Sequence, residues 1–167
     1  MIQTNRLIIK PLSYCELLKY IANDHSLEKE LGLSDTNITI TPEFREVLEK
    51  IIIPMVLDNQ SNYQYFTLWT IITKAENKMV GDLCFKGLPD AGNAIEIGYG
   101  SYEDFRRNGY MTEAVGGMIE WARQQHGVDA ITASTEKINL PSMQVLQKNH
   151  FVKTGESDDL FHWKLAL

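Results

Sequence analysis

Between a predicted strand and a predicted helix stands the segment Arg106-Arg107-Asn108-Gly109-Tyr110-Met111-Thr112-Glu113-Ala114. A turn that ends in glycine at the start of a helix leaves several backbone N–H groups without partners, and the helix dipole adds partial positive charge there. Two arginines lie in this segment, in a chain that is acidic overall. The segment therefore has the chemistry that a pyrophosphate group requires. On this stretch alone, a capped helix with two solvated arginines is an equally good interpretation.

Outward from this segment, the periodicity of apolar residues predicts a single α/β domain. The predicted strands cover residues 6–10, 66–73, 79–86, 94–100, 130–135, 151–155 and 160–167. The predicted helices begin near residues 13, 41, 109 and 140, and the third is expected to close at Gly127. The order is β-α-α-β-β-β-α-β-α-β-β, with residues 24–41 irregular. We expect a mixed, mostly antiparallel sheet of six or seven strands with helices on both faces, and a parallel crossover around the third helix.

Composition excludes several classes of function. The 167 residues include 16 Lys and Arg against 22 Asp and Glu, a formal net charge of −6. This balance disfavours a general binder of nucleic acid or anionic membranes. Cys15 and Cys84 are too few for a disulfide framework. The longest apolar run, residues 51–57, is far shorter than the roughly 20 residues that span a bilayer. We expect a soluble cytoplasmic protein with neither nucleic acid nor membrane as a partner.

Common catalytic and binding motifs are absent from the sequence. It contains no Gly-x-Ser-x-Gly elbow and no phosphate loop ending in Gly-Lys-Ser/Thr. Gly98-Tyr99-Gly100 begins like a dinucleotide fingerprint, but Glu103 stands where the third glycine is needed. The histidines show neither helical pairing nor a cysteine partner, so we expect no metal site.

With these motifs set aside, the segment resembles the acetyl-CoA loop of the GCN5-related N-acetyltransferases (GNAT), whose signature is Arg/Gln-x-x-Gly-x-Gly/Ala. Here it reads Arg106-x-x-Gly109-x-Met111, with methionine at the family's last small position. The surrounding sequence looks like the RimJ/RimL-type branch, in Glu96-Ile97-Gly98-Tyr99, Tyr110-x-Thr112-Glu113-Ala114, Asn139-x-x-Ser142, Val145-Leu146 and Phe151. The resemblance runs from about Thr4 to the C-terminus and is strongest from Gly81 to Gly155.

The resemblance implies an N-acetyltransferase that moves an acetyl group from acetyl-CoA, its cosubstrate, directly to a primary amine. Residues 1–167 would form one acetyltransferase domain, with residues 94–151 as its acetyl-CoA-binding core. Backbone amides of the loop would hold the pyrophosphate, from Asn108, Gly109, Tyr110, Met111 and Thr112, with added charge from Arg106 and Arg107. The pantetheine arm would pair with a strand that splays from its parallel neighbour, at Gly100, Ser101 and Tyr102, and Asn139 would help to hold it.

The resemblance also implies catalytic roles. Ser142 is expected near the CoA sulfur, where its hydroxyl would protonate the leaving thiolate; the alternative is a serine that caps its helix. Some relatives place a tyrosine that acts as the general acid on the last helix, five residues before the closing Phe. Leu146 occupies that position here, so a tyrosine acid is excluded there. Glu96 is the leading candidate for the general base. The alternatives to it are Glu113 and the hairpin carboxylates Glu156, Asp158 and Asp159.

The acceptor is expected to bind at the loops of residues 24–41 and 156–160, because loops on a rigid scaffold carry specificity. An acidic chain suits a cationic small-molecule or peptide amine: a protein N-terminus, an amino acid, a polyamine or an aminoglycoside. Candidate aromatic walls are Trp69, Tyr99, Tyr102 and Trp163, with core packing as the alternative.

Two other function classes stay open, a CoA-binding domain without turnover and a generic nucleotide-binding α/β domain. The apolar strand at residues 161–165 is a candidate edge for a homodimer.

Overall fold

One sheet of eight strands runs through the computed structural model, which describes all 167 residues. The strands are β1 (Ile2–Gln3), β2 (Leu7–Pro11), β3 (Leu68–Thr73), β4 (Lys78–Phe85), β5 (Ala94–Ser101), β6 (Ala130–Glu136), β7 (Val152–Glu156) and β8 (Leu160–Ala166). Their spatial order is β1-β2-β3-β4-β5-β6-β8-β7. Every neighbouring pair is antiparallel except β5 and β6, which run parallel. The predicted mixed, mostly antiparallel sheet is confirmed.

Helices cover both faces of this sheet. They are α1 (Tyr14–Ala22), α2 (Ser26–Leu31), α3 (Pro42–Val47), α4 (Ile53–Asp58), α5 (Tyr110–Arg123) and α6 (Leu140–Lys148). On one face α5 and α6 bury residues such as Val115 with Ile131 of the sheet, in what we call the first core. On the other face α1 to α4 bury residues such as Leu17 with Leu68, in the second core. No helix combines the length and apolar character that crossing a membrane requires.

The sheet has one strand more than the upper number predicted. β1 consists of Ile2 and Gln3 alone, too few residues to show a period of two, and it pairs with β2. Helix α5 ends at Arg123, ahead of the glycine at position 127 that was expected to close it. Both differences lie at element ends, which local patterns define poorly.

Residues 24–41, predicted to be irregular, contain α2. This helix has six residues and follows His25, whose φ is +63° and whose side chain makes no cap hydrogen bond. Its sequence gives little local signal, because it has neither a full amphipathic period nor an N-cap side chain, although Gly32 closes it in the left-handed conformation. Leu27 and Glu28 are nevertheless buried, and Asn23 Nδ2 donates to the Ile38 carbonyl at 3.0 Å. The segment is thereby packed onto the second core.

The helical segment that begins after Thr41 changes its winding partway. The Thr41 hydroxyl accepts a hydrogen bond from the Phe44 amide at 3.2 Å, so the predicted start is confirmed. A π turn over Leu48–Ile52 then joins α3 to α4. Pro54 accounts for it, because proline lacks an N–H and its ring would clash with the carbonyl one turn earlier, which a wider turn relieves. The buried residues along this segment are Leu48, Ile52 and Val56.

Gly81 lies where β4 approaches β5 most closely. A Cβ atom there would stand 2.6 Å from the backbone oxygen of Gly100 and 3.3 Å from Cε of Met111. Real Cβ atoms do not approach backbone this closely, so only glycine allows β4 and β5 to pair at this point without a shift of one strand. The pairing of β3 with β4 is also irregular beside this residue.

Gly81→Ala is expected to lower the free energy of unfolding by about 2 kcal/mol, as in overpacked cores, because the new methyl group meets backbone rather than a flexible side chain. Urea unfolding followed by tryptophan fluorescence measures this change. Gly155→Ala is the matched control, because a Cβ there meets nothing within 4 Å. Equal unfolding midpoints for the two variants would contradict the close approach of β4 to β5.

Candidate functional site

β5 leaves β6 partway along its length. The two strands pair only from Ala94 to Glu96, opposite residues 130–132 of β6. Beyond that point β5 stays paired with β4 as far as Ser101, while β6 continues alongside β8 to Glu136. The predicted splay is therefore present, and it opens a wedge between two strands of one sheet.

The backbone groups of β5 alternate between β4 and this wedge. The Lys86 amide donates to the Glu96 carbonyl at 2.9 Å, and the Tyr102 amide donates to the Val80 carbonyl at 3.1 Å. Because antiparallel pairing uses every second residue, Gly100 also bonds to β4. The free backbone groups in the wedge belong to Tyr99 and Ser101, because the parallel pairing of Glu96 with Thr132 already uses the Ile97 amide. Of the three residues predicted to pair with an extended ligand there, only Ser101 has its backbone groups available.

A cleft of about 790 Å³ lies at the mouth of this wedge, between the end of β5, the first turn of α5 and one side of α6. Of the thirteen predicted site residues, ten line it: Gly100, Ser101, Arg106, Arg107, Gly109, Tyr110, Met111, Thr112, Asn139 and Ser142. Five further residues line the cleft and are not among the predicted site residues: Phe105, Pro141, Gln144, Val145 and Lys148. Pro141, Gln144, Val145 and Lys148 recur at intervals of three and four residues and so share one face of α6. This helical spacing is a sequence signal that could have identified them. Tyr99, considered only as an aromatic wall, also lines the cleft.

The N-terminus of α5 opens onto the cleft without a side-chain cap. Its N-cap residue is Gly109, with φ +76°, and no side chain caps the amides of the first turn. Arg107 also has a positive φ, +64°, so the loop turns sharply twice before the helix begins. The amides of residues 110–112 lack partners within the helix, because its first backbone bond here runs from the Glu113 amide to the Gly109 carbonyl, at 3.2 Å. Such an end binds anions.

Met111 does not obstruct the phosphate loop, although it occupies the position of a small residue in the signature. Its side chain is 7% exposed and belongs to the first core. Its Cε atom lies against β4 beside Gly81, which has no side chain to meet it. Methionine at the end of the loop is therefore accommodated by a missing side chain on the neighbouring strand.

Glu113 fastens the N-terminal strands to this loop. Its carboxylate accepts hydrogen bonds from Thr4 Oγ1 at 2.6 Å, from the Arg6 amide at 2.7 Å and from Arg6 Nε at 2.6 Å. Although burial opposes ionisation, these donors hold the pKa of Glu113 below its ordinary value. Arg6 also donates to the carbonyl of Asn108 at 3.1 Å. Glu113 is thus occupied structurally, and Asn108, whose side chain donates to Phe105 and Arg106 carbonyls, supports the loop from outside the cleft.

Ser142 stands across the cleft from β5 and contacts Tyr99. The Ser142 hydroxyl donates to Tyr99 Oη at 3.0 Å, and the Tyr99 hydroxyl donates to the Ser142 carbonyl at 3.0 Å. Burial raises the pKa of Tyr99 to about 12, so the phenol stays protonated. The cap of α6 is Asn139, whose Oδ1 accepts from the Ser142 amide at 3.1 Å. The capping interpretation of Ser142 is therefore wrong.

Glu96, predicted as the general base, lies outside the cleft. Ile95 and Ile97 belong to the first core, so the alternation of the strand turns Glu96 to the other face. There it pairs with Lys86 Nζ at 2.5 Å. Tyr102 is likewise directed away from the cleft, towards Asp82. On the hairpin, Glu156 pairs with Lys153 and Lys137, which lower its pKa. Trp69 and Trp163 are core residues, 0% and 4% exposed.

A buried carboxylate that no motif announced lies on the second-core face of β4. Asp82 is 6% exposed. Its Oδ2 accepts hydrogen bonds from Tyr20 Oη at 2.6 Å and from Tyr102 Oη at 2.7 Å, and its Oδ1 has no partner. Burial raises the pKa of Asp82 to about 6, against the opposing effect of these two phenols. The group is thus poised to exchange a proton near neutral pH.

Wild type is expected to lose about 3 kcal/mol of unfolding free energy relative to Asp82→Asn between about pH 4 and pH 7. The folded state binds the Asp82 proton more tightly than the unfolded chain does. Stability is therefore present below the unfolded pKa and is lost as the pH rises through the folded pKa. Urea unfolding of both proteins across this range measures the difference. A difference independent of pH would contradict the raised pKa.

Comparison with known proteins gives consistent matches over almost the whole chain. A family model described as "Acetyltransferase (GNAT) domain" matches residues 6–152. The uncharacterized N-acetyltransferase YjdG of Bacillus subtilis (strain 168) is 33% identical over 171 residues, covering 98% of this chain and 96% of the relative.

Solved structures of acetyltransferases share this fold. RimL, a ribosomal L7/L12 α-N-protein acetyltransferase in complex with coenzyme A, superimposes with a TM-score of 0.70 at 18% identity, over 98% of this chain and 96% of that one. The ribosomal-protein-S5-alanine acetyltransferase of Vibrio fischeri superimposes with a TM-score of 0.72 at 16% identity, over 98% and 94%.

Proposed function

The chain belongs to the GNAT family of N-acetyltransferases, and we propose that it transfers the acetyl group of acetyl-CoA directly to a primary amine. The observation that carries the proposal is the cleft in which the unpaired edge of β5 meets the uncapped N-terminus of α5. Acetyl-CoA has an amide-bearing arm and a pyrophosphate group, and it supplies the reaction with an acyl thioester. The donors and acceptors of the cleft fit both parts.

The phosphate end of the proposed site lies at the start of α5. The amides of Tyr110, Met111 and Thr112 are the partners for the pyrophosphate, in keeping with the affinity of helix N-termini for anions. Arg106 and Arg107 line the same cleft, and so does Lys148 of α6. These cations add charge for the phosphates in a chain whose net charge is −6.

The arm of the cosubstrate would replace the missing part of β6. The free backbone groups of Tyr99 and Ser101 are the partners for its amides, in the manner of strand addition. Asn139 lines the cleft with its side-chain amide, although its Oδ1 is engaged in capping α6. This arrangement would bring the thioester towards Gly100 and Ser142.

Ser142 is the proposed proton donor for the CoA sulfur. Its hydroxyl lies in the cleft and is oriented by Tyr99 at 3.0 Å. Tyr99 retains its own proton, because burial raises its pKa to about 12. Once the Ser142 hydroxyl turns from Tyr99 Oη towards the sulfur, its neutral O–H is the donor where thiolate charge develops, and no residue need be deprotonated beforehand.

For the acceptor we propose the α-amino group of a peptide or protein, entering between the segments 24–41 and 156–160. The names of RimL and of the S5-alanine enzyme support this class, and the acidic chain suits a cationic acceptor. Mass spectrometry of hexapeptides beginning with serine or alanine, with spermidine as a small-amine comparison, tests it. Acetyl-CoA binding without any acetylated product would instead favour a CoA-binding domain without turnover.

Acetyl-CoA at about a hundred times its dissociation constant should stabilise the protein by about 2.7 kcal/mol and raise its melting temperature by on the order of 5–10 °C. Thermal unfolding with and without acetyl-CoA measures the rise, and ATP and NAD are the controls. A rise specific to acetyl-CoA is expected, because only this ligand has the arm that the β5 edge would bind. Equal rises with ATP or NAD would favour a generic nucleotide-binding domain.

Ser142→Ala should lower kcat by about a hundredfold, the scale of a lost general acid, while the dissociation constant of acetyl-CoA stays unchanged. Steady-state turnover and calorimetric binding measure the two quantities. Ser61→Ala, at an exposed serine far along the chain from the cleft residues, is the matched control and should behave as wild type. Full turnover by Ser142→Ala would exclude the acid role.

A further inference from the structure

We propose that Tyr102 contacts the acceptor amine and that Asp82 takes the amine's proton through the Tyr102 hydroxyl, with Tyr20 positioning the carboxylate. The inference rests on the proposed function, since it concerns the same acetyl transfer. It supplies the proton acceptor that Glu96 and Glu113 do not provide, because both are held in ion pairs.

The first observation is an uncompensated charge. Asp82 is 6% exposed and its Oδ1 makes no hydrogen bond. The Thr70 hydroxyl, on the residue opposite it in β3, helps to lower the pKa of Asp82 but makes no hydrogen bond of ordinary geometry. A buried carboxylate in a purely structural role is normally matched by a cation, because its desolvation is costly. Here the polar atoms are incompletely satisfied, as expected of a site whose remaining partner is a ligand.

The second observation is that open space adjoins this carboxylate. Asp82 pairs directly with Gly100 across β4 and β5, and directly paired residues share a face of the sheet. Tyr102 follows two residues after Gly100 and lies on that same face. A Cβ at Gly100 would meet nothing within 4 Å. Gly100 also lines the cleft, so the space over this glycine adjoins both the cleft and the Tyr102–Asp82 pair.

The third observation is the charge of the surroundings. The groups that face Asp82 are Tyr20 from α1, Tyr102 beyond β5, Thr70 from β3 and Cys84 along β4. Burial raises the pKa of the Cys84 thiol to about 11, so it is neutral. Glu28 of α2 raises the pKa of the Tyr20 phenol, and Lys86 and Glu96, which act on Cys84, are the further charges on this face. Because Lys86 is paired with Glu96 and no Lys, Arg or His is bonded to Asp82, the cluster attracts a cation, and a primary ammonium is the cation that this reaction supplies.

Each proton that moves during the transfer has a donor and an acceptor. The acceptor arrives as an ammonium, whose nitrogen gives one proton to Tyr102 Oη while the Tyr102 hydroxyl proton passes to Asp82 Oδ2. The freed lone pair forms the N–C bond to the thioester carbonyl, and the C–S bond breaks. The sulfur takes the Ser142 hydroxyl proton, and the second proton leaving the nitrogen replaces it through water. Asp82 then releases its proton to solvent, which restores the carboxylate.

The test is the pH profile of kcat/KM, with a hexapeptide beginning with serine and with n-butylamine as probes. If Asp82 accepts the proton, the active pair is an ionised carboxylate and a protonated amine. Wild type should therefore gain activity through pH about 6 and lose it above the pKa of the peptide amine, about 7.7–8.0.

The kcat/KM profile of Asp82→Asn should lack the limb near pH 6. Its kcat/KM at pH 7 should be about a hundredfold below that of wild type, because without the carboxylate only the neutral amine can react. Its remaining activity should rise with the titration of the amine itself. Tyr102→Phe should also be slow. Tyr20→Phe should keep its plateau rate but move the acid limb to higher pH, because one of the hydrogen bonds that favour the ionised Asp82 is removed. Substitution of a residue whose role is packing alone would leave the limbs of the kcat/KM profile at the same pH.

Tyr14→Phe, also on α1, is the matched control and should reproduce the wild-type profile. Circular dichroism and the acetyl-CoA dissociation constant establish that each variant folds. If Asp82→Asn does not fold, the shift of the limb in Tyr20→Phe still decides. Wild-type activity with an unaltered profile in Asp82→Asn, or with an unmoved limb in Tyr20→Phe, would overturn the relay alone. Acetyl-CoA binding without transfer to either probe would overturn the relay together with the proposed function.

Discussion

Residues 97 to 101 of β5 have a strand partner on one side only, because β6 leaves after Glu96. Backbone N–H and C=O groups inside a protein require partners, so this gap in the sheet calls for an extended, amide-bearing ligand. The same divergence leaves room for a cleft that the first turn of α5 and one side of α6 line. The divergence of β6 from β5 thus gives both the unpaired strand edge for the amide-bearing arm of the ligand and access to the free amides that would bind its phosphates.

Two glycines, Gly81 and Gly100, leave space beside the diverging strands on both faces of the sheet. Gly81 lets β4 approach the Gly100 carbonyl and gives Met111 a place in the first core. Gly100 leaves space beside Asp82 on the second-core face. The acidic residues are divided in the same way, since Glu113 anchors the phosphate loop through Arg6 while Asp82 keeps no cation. Glu113, which is paired with a cation, supports the loop, whereas Asp82, which has no cation beside it, is available to accept a proton.

Local features of the site were accessible from sequence, and long-range ones were not. The loop at residues 106–112 and the N-cap role of Thr41 depend on near neighbours, so their patterns are legible. The fate of a carboxylate depends on partners far along the chain. Glu96 pairs with Lys86 across two strands, and Asp82 meets Tyr20, which is 62 positions away. No spacing rule connects such residues, so the sequence favours Glu96 as the base and gives no signal for Asp82. The short helix α2 is not predicted for a different reason, because it has only six residues and no N-cap side chain.

Amide hydrogen exchange, measured by NMR with and without acetyl-CoA, tests the central claim most directly, because it reads the backbone groups themselves. Bound acetyl-CoA should slow exchange at Ser101 and at Tyr110, Met111 and Thr112. The amide of Tyr102, already bonded to Val80, should change little. Protection confined to other parts of the chain, with these four amides unaffected, would contradict the assignment of the wedge and the α5 terminus as the cosubstrate site.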